Sequence, residues 1–227
     1  MQPYFLPYVG YFQLISACDV FVLYDNIKYT KSGWINRNRI LRNGEPAPFS
    51  LPLKKASDFL DIRDRELSAN FDRGKLLRQI QGAYARAPQF TDAFPVVERI
   101  VGYDRQNLFD YIRNSITCVC AHLDIPTEIR VSSEIDTDHS LKGQDRVIAL
   151  CNALGASTYI NAIGGVELYS REAFRAQSLE LKFIRSMPFE YPQWSNSFVS
   201  WLSIIDVLMF NPRQVVQRCV AENYELI

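Results

Sequence analysis

The chain has 227 residues, 48% of them apolar and 22% charged, which is ordinary globular composition and length enough for a large core. Lysine plus arginine and aspartate plus glutamate both count 25, so the net charge is zero and no basic excess marks a broad nucleic-acid interface. No apolar run reaches the ~18 residues of a membrane span and no signal peptide is visible, so a cytoplasmic protein is expected.

Pro3 and Pro7 fix φ and block a helix over the first residues, so the first helix is predicted over about residues 8–18. The stretch ahead of it reads as a loop between a first strand and a first helix, where open α/β sheets bind ligands. Residues 19–25 form a continuous apolar run, the pattern of a buried parallel strand. Residues 34–41 alternate, Asn43-Gly44 is a hairpin turn, and residues 49–53 make the return strand. Pro46, Pro48 and Pro52 confine that strand to a sheet edge. From residue 57 to 123 helical periods dominate, carried by Leu76, Ile80 and Tyr84, by Phe94, Val97 and Ile100, and by Leu108, Ile112, Ile116 and Val119. Pro88 and Pro95 punctuate these segments, which read as a three-helix insertion. The α/β alternation then resumes with a strand at 127–131, a helix at 145–154 ended by Gly155, and a strand at 158–160. A helix at 168–177, a strand at 179–184, an apolar helix at 201–210 and a last helix opened by Pro212 complete the chain. The expected fold class is α/β: a parallel, Rossmann-like sheet flanked by helices, with an inserted helical block and an edge hairpin. Its parts are 1–56, 57–125 and 126–227, within one compact unit.

Four clusters could carry chemistry. Gln2, Tyr4, Tyr8, Gly10, Tyr11 and Gln13 crowd the first loop and helix, where glycine lets a ligand approach the backbone. The same residues would also make an aromatic loop packed on the core. Trp34, Asn36, Arg37, Asn38 and Arg39 lie on an alternating strand, so Asn36 and Asn38 face one way and Arg37 and Arg39 the other. Arginine forks suit a carboxylate or phosphate, and asparagine amides suit hydroxyls or amides. An edge strand whose charges discourage aggregation is the plainer alternative. Asn161, Gly164, Gly165 and Tyr169 follow a strand end, where a helix start favours an anion, though a Gly-Gly pair also makes a simple turn.

Tyr191, Gln193, Ser203 and Asp206 form the fourth cluster. Asp206 stands among Ile204, Ile205, Val207 and Leu208, either as a buried acceptor or as a base with a raised pKa. Asp25, at its strand's end, is a second candidate base. The five cysteines lack paired metal spacing and read as reduced and structural, and His122 and His139 add no ligand pattern, so no metal site is expected.

The opening Met-Gln-Pro-Tyr-Phe-Leu-Pro-Tyr-Val-Gly-Tyr-Phe-Gln, with Lys31-Ser-Gly-Trp-Ile-Asn-Arg-Asn-Arg-Ile40, Gly155-Ala-Ser-Thr-Tyr-Ile-Asn161 and Leu202-Ser-Ile-Ile-Asp-Val-Leu208, resembles the WbqC-like family, encoded among bacterial surface-polysaccharide genes. Members of that family carry a few apolar residues before Met-Gln-Pro that form a first strand, and Met1 stands at that strand's expected carboxyl end. The placement of Pro7-Tyr-Val-Gly-Tyr11 also resembles the nucleotide-binding turn of adenylyltransferase-like enzymes, whose two histidines stabilise transferring phosphates. Tyr8 and Tyr11 stand in their places here and donate hydrogen bonds without positive charge.

The family's genetic setting implies an enzyme of surface-glycan or specialised-metabolite biosynthesis. We expect it to transfer an acyl or aminoacyl group to an amine, such as an amino sugar. Asp206 or Asp25 would accept the amine's proton, Tyr169 and Asn161 would hydrogen-bond the developing oxyanion, and Arg37 and Arg39 would hold a carboxylate or phosphate. The expected cosubstrate is an acyl or aminoacyl donor, or a nucleotide. The expected partner is a small molecule such as a nucleotide-linked amino sugar, with an oligomer left open. Two alternatives stand: a nucleotidyltransferase using ATP or CTP, and a non-catalytic ligand-binding or scaffold protein.

Overall fold

Past Pro7 nothing blocks helix formation, and α1 runs Val9–Ser16 with Tyr8 as its extended N-cap. The computed structural model describes residues 1–194 and 197–227. β1 follows at Val20–Leu23. β2, Arg37–Arg42, and β3, Glu45–Ser50, form the antiparallel hairpin. Asn43 and Gly44 turn it with φ of 53° and 81°, the positive values that a two-residue hairpin loop needs. The return strand begins directly after this turn, ahead of the expected residue 49. Pro46 and Pro48 stand within it, and among the described residues it pairs with β2 alone, an edge where a residue without an N–H is tolerated.

The helical stretch contains α2 (Arg73–Tyr84), α3 (Phe90–Val101) and α4 (Leu108–His122). Asp72 and Asn107 cap α2 and α4, accepting from Lys75 N at 2.8 Å and Asp110 N at 3.0 Å. Pro95 lies inside α3 instead of ending it. Then come β4 (Glu128–Val131), α5 (Gly143–Ala153), β5 (Thr158–Ala162), α6 (Arg171–Arg175), β6 (Glu180–Ser186), α7 (Ile204–Phe210), α8 (Arg213–Glu222) and β7 (Tyr224–Leu226).

Two expected helices are shorter than their apolar patterns. The one over 168–177 is reduced to α6, with Leu168 ending a 3-10 stretch that runs Ile163–Leu168, because the Ser170 hydroxyl caps α6 by accepting from Ala173 N. The one over 201–210 starts at Ile204, because Ser203 caps it and Trp201 turns left-handed with φ 59°. β7 has no counterpart in the sequence reading; three residues give too little periodicity to register.

The α/β class holds, but the strands do not form one Rossmann-like parallel sheet. β1 pairs in parallel with β4; β5 pairs in parallel with β6, and β7 adds to β6 antiparallel. Among the described residues each sheet therefore holds at most one parallel pair. Between the two pairs lies a cavity of about 390 Å³, lined by Val20 and Val22 of β1, by Thr158 and Ile160 of β5, and by Leu14, Val147 and Leu150 from the flanking helices. Met1 enters it. Its amine donates to Val22 O at 2.7 Å and its carbonyl accepts from Tyr24 N at 2.9 Å, the bonding of a parallel strand residue set beside Leu23. A strand leading into Met1 would lie between β1 and β5.

The main core draws on residues from Phe5 to Val220, with Phe5, Phe12, Tyr84 and Tyr111 fully buried. A second cluster, including Val147, Cys151, Phe174, Leu181 and Phe183, joins α5 and α6 to β5 and β6. All five cysteines are free, and burial pushes Cys120 up to about 12 and Cys18 to about 11, far from thiolate reactivity. Among the described residues no helix is long and apolar enough to cross a membrane.

Candidate functional site

Three distant stretches of chain meet beside the hairpin: the first loop, the entry to β2, and the turn before α7. They enclose a pocket of about 240 Å³ lined by Tyr4, Pro7, Tyr8, Trp34, Asn38, Arg39 and Trp201. Backbone and amide bonds stitch the stretches together. Phe5 N donates to Ile35 O at 2.9 Å, Ser203 N to Arg39 O at 2.9 Å and Ile204 N to Pro7 O at 2.8 Å. Asn38 Nδ2 and the Ser203 hydroxyl both donate to Leu6 O, at 2.7 and 2.8 Å. Arg39 Nη2 donates to Trp201 O at 3.2 Å.

Leu6 and Trp201 are both left-handed, with φ of 47° and 59°. Such backbone costs about 1–3 kcal/mol per residue and persists only where the surroundings enforce it. Here each carbonyl is held by a β2 side chain, Asn38 for Leu6 and Arg39 for Trp201. The two left-handed residues thus flank one pocket and are each tied to the same strand.

The pocket walls are aromatic and cationic. Trp34 is 46% exposed and Trp201 66%. The Tyr8 ring lies 5.4 Å from Trp201. The Arg39 guanidinium sits 5.3 Å from the Trp34 ring and that of Arg37 5.9 Å, so both arginines occupy Trp34's side as the alternation requires. Their bonding differs. Arg37 is spent on the loop before it, donating to Gly33 O at 2.9 Å and Ser32 O at 2.6 Å. Arg39 is half-buried, donates to Trp201 O and keeps its charge against the Trp34 face, a guanidinium suited to an anionic ligand group. Burial raises the Tyr4 and Tyr8 phenols, so both stay neutral hydrogen-bonding groups near neutral pH.

Gly10 acts from behind. A Cβ there would collide with the Tyr8 ring and the Ser186 hydroxyl. Gly10→Ala is therefore expected to displace Tyr8 and cost about 1–3 kcal/mol in urea unfolding; an unchanged midpoint would show that the ring yields freely.

The other sequence candidates sit outside the pocket lining. Gln2 holds two tyrosines: its Oε1 accepts from Tyr4 at 3.1 Å and its carbonyl from the buried Tyr11 at 2.9 Å. Gln13 is fully buried and donates to Cys219 O at 3.0 Å and Asn223 O at 2.9 Å, tying α1 to α8. Asn36 accepts from Tyr29 at 2.8 Å and donates to Leu51 O at 2.7 Å. The Asn161 amide covers Gly165, where a Cβ would collide with it, while Gly164 has open space around it. Tyr169 packs against Tyr159 at 5.6 Å, beside the second cluster.

Asp25 joins the ends of β1 and β4, accepting from the Ser132 hydroxyl at 3.0 Å and from Ser133 N and hydroxyl at 3.0 and 2.6 Å. Asp206 is buried and accepts from Tyr84 at 2.7 Å, Tyr191 at 2.8 Å and Gln193 Nε2 at 2.7 Å. Burial raises its pKa, with the three hydrogen bonds pulling the other way. Thus Tyr4, Tyr8, Trp34, Asn38 and Arg39 come together, while Asp25, Tyr169, Asn161, Gly164, Gly165 and Asp206 do not line this pocket. Pro7 and Trp201 are the wall residues absent from the sequence candidates, and Trp201 is the one with a polar or aromatic face to offer. Its signal was Ser203, a helix N-cap that leaves Trp201 outside α7.

A model of the WbqC-like protein family matches residues 2–218, a span that contains every residue of the pocket. The uncharacterized protein Rv1507c of Mycobacterium tuberculosis (strain ATCC 25618 / H37Rv) is 26% identical over 214 residues, covering 93% of this chain and 91% of that protein. No solved structure matches the chain. On this match, the chain belongs to the WbqC-like protein family.

Proposed function

We propose that the protein binds an anionic sugar derivative, in the first instance a nucleotide-linked amino sugar, in the Trp34–Trp201 pocket, and that an acyl or aminoacyl group is transferred to the sugar's amine. The observation that carries the binding half is Arg39, a half-buried guanidinium set between the two exposed tryptophans Trp34 and Trp201 at the pocket wall. Sugar and base faces stack on indole, and an arginine fork takes a phosphate or carboxylate. In the transfer, the amine nitrogen attacks the acyl carbonyl, the bond to the donor's leaving group breaks, and nitrogen releases a proton to a base. The family's association with surface-polysaccharide genes supports the glycan context.

A second reading, ligand binding without turnover, is favoured by one specific observation. Asp25 and Asp206, the two candidate bases, each accept three hydrogen bonds away from the pocket lining. Calorimetric titration with UDP-glucosamine tests the shared part. Binding is expected in the native protein and a loss of about tenfold or more in Trp34→Ala and in Arg39→Ala, since base–aromatic stacking and charged hydrogen bonds each contribute about 1–3 kcal/mol. Equal affinity in all three removes the pocket as the ligand site. Mass spectrometry of the bound sugar with acyl thioesters or aminoacyl esters then separates transfer from binding alone.

A further inference from the structure

Asp206 stands outside the pocket, yet its hydrogen bonds reach two of the pocket's walls. Its Oδ1 accepts from the Tyr84 hydroxyl at 2.7 Å, and that phenolic oxygen accepts from Leu41 N at 2.9 Å. Leu41 lies two residues beyond Arg39 on β2. Its Oδ2 accepts from Tyr191 and Gln193, and Gln193 clasps Val199, accepting from its N–H at 2.7 Å and donating to its carbonyl at 3.2 Å. Val199 lies two residues before Trp201. One carboxylate thus links the strand that carries Arg39 to the turn that carries Trp201.

Packing alone does not call for this arrangement. An apolar side chain among Ile204, Ile205, Val207 and Leu208 would fill the space without burying a polar group. What a carboxylate adds is two acceptor oxygens for three convergent donors, a geometry that an amide with one oxygen cannot reproduce.

We propose that Asp206 is a positioning residue for the aromatic pocket: through Tyr84 it fixes β2 and hence Arg39, and through Tyr191 and Gln193 it fixes the turn that presents Trp201. The consequence for ligand affinity rests on the pocket reading above; the positioning itself does not, and it is measurable without ligand.

The test uses the full chain labelled with 5-fluorotryptophan, its fluorine resonances assigned by single Trp→Phe replacements. In Gln193→Ala and Asp206→Asn the Trp201 resonance is expected to shift or split while unfolding stays cooperative. Val119→Ala, a core truncation in α4, is expected to lower the melting temperature and leave that resonance in place, which separates positioning from general loss of stability. An unmoved Trp201 resonance in folded Gln193→Ala and Asp206→Asn overturns the proposal. If Asp206→Asn does not fold, Gln193→Ala decides alone, since it leaves the carboxylate with Tyr84 and Tyr191. With UDP-glucosamine as probe, the affinity of the same variants is expected to fall about tenfold. A moved resonance in a protein that binds no probe upholds the positioning role and removes the proposed ligand.

Discussion

Prepared as the 227-residue chain with a free Met1 amine, the protein is expected to lose on the order of 3 kcal/mol of folding stability through that amine between pH 8 and pH 5. The amine is partly buried, with Val22 O as its acceptor, and its desolvation lowers its pKa from 8.0 to about 5, outweighing a smaller raising effect of Cys18. In the unfolded chain the same amine takes up a proton at 8.0. Between these values the unfolded state binds more protons, so stability is full at high pH and falls as pH drops towards 5. Each pKa unit is worth about 1.4 kcal/mol, which sets the scale.

Urea unfolding at pH 5 and pH 8 measures the effect, and a chain extended ahead of Met1 by a few alternating β-branched residues isolates it. There the amine becomes a peptide N–H that cannot protonate, and the added residues enter the cavity between β1 and β5. The pH slope is expected to shrink and the midpoint to rise, more than in a glycine–serine extension of the same length. Identical slopes in all chains would show that the amine is not buried in solution.

Asp206→Ala is expected to destabilise the protein by about 3 kcal/mol, because Tyr84, Tyr191 and Gln193 lose their shared acceptor in the interior. For a chain of this length that is a fall in melting temperature of about 6–12 °C. Tyr84→Phe should lose less alone and couple to Asp206→Ala in a double-mutant cycle, while simple additivity would show that the hydrogen bond is worth little. The pH dependence has a definite sign. Asp206's raised pKa means that the folded state holds its proton more firmly than the unfolded chain. Its contribution is therefore fullest below the ordinary carboxylate value of 3.8 and declines as pH rises through the raised one. Asp206→Asn should lack this decline.

Local chemistry was legible in the sequence wherever the deciding interactions were local. Asn43-Gly44 demands positive φ at both positions, and the hairpin follows from that alone. The alternation of residues 36–39 correctly set Arg37 and Arg39 on one side, beside Trp34. The helical periods of the middle stretch became α2, α3 and α4. What failed was adjacency. The runs at 19–25 and 179–184 each look like buried strands, but nothing in either says that β1 lies beside β4 and β5 beside β6 as separate pairs.

The site divides in the same way. Tyr4, Tyr8 and Arg39 could be picked out by residue type and position. Asp206 could not be resolved between base and acceptor, because its partner Tyr84 is 122 residues away. Trp201 hid inside an apolar run whose period continued through it, and the Ser203 cap and its own backbone angle remove it from the helix.

Leu6 and Trp201 give the pocket a thermodynamic character of its own. A non-glycine residue in left-handed backbone raises the energy of the folded chain, and glycine would relieve it at either position. Replacing Trp201 that way would discard the most exposed indole of the cavity. On the proposed binding role, robustness and recognition pull against each other at this residue, so a more durable version of the protein would also grip the proposed ligand less well.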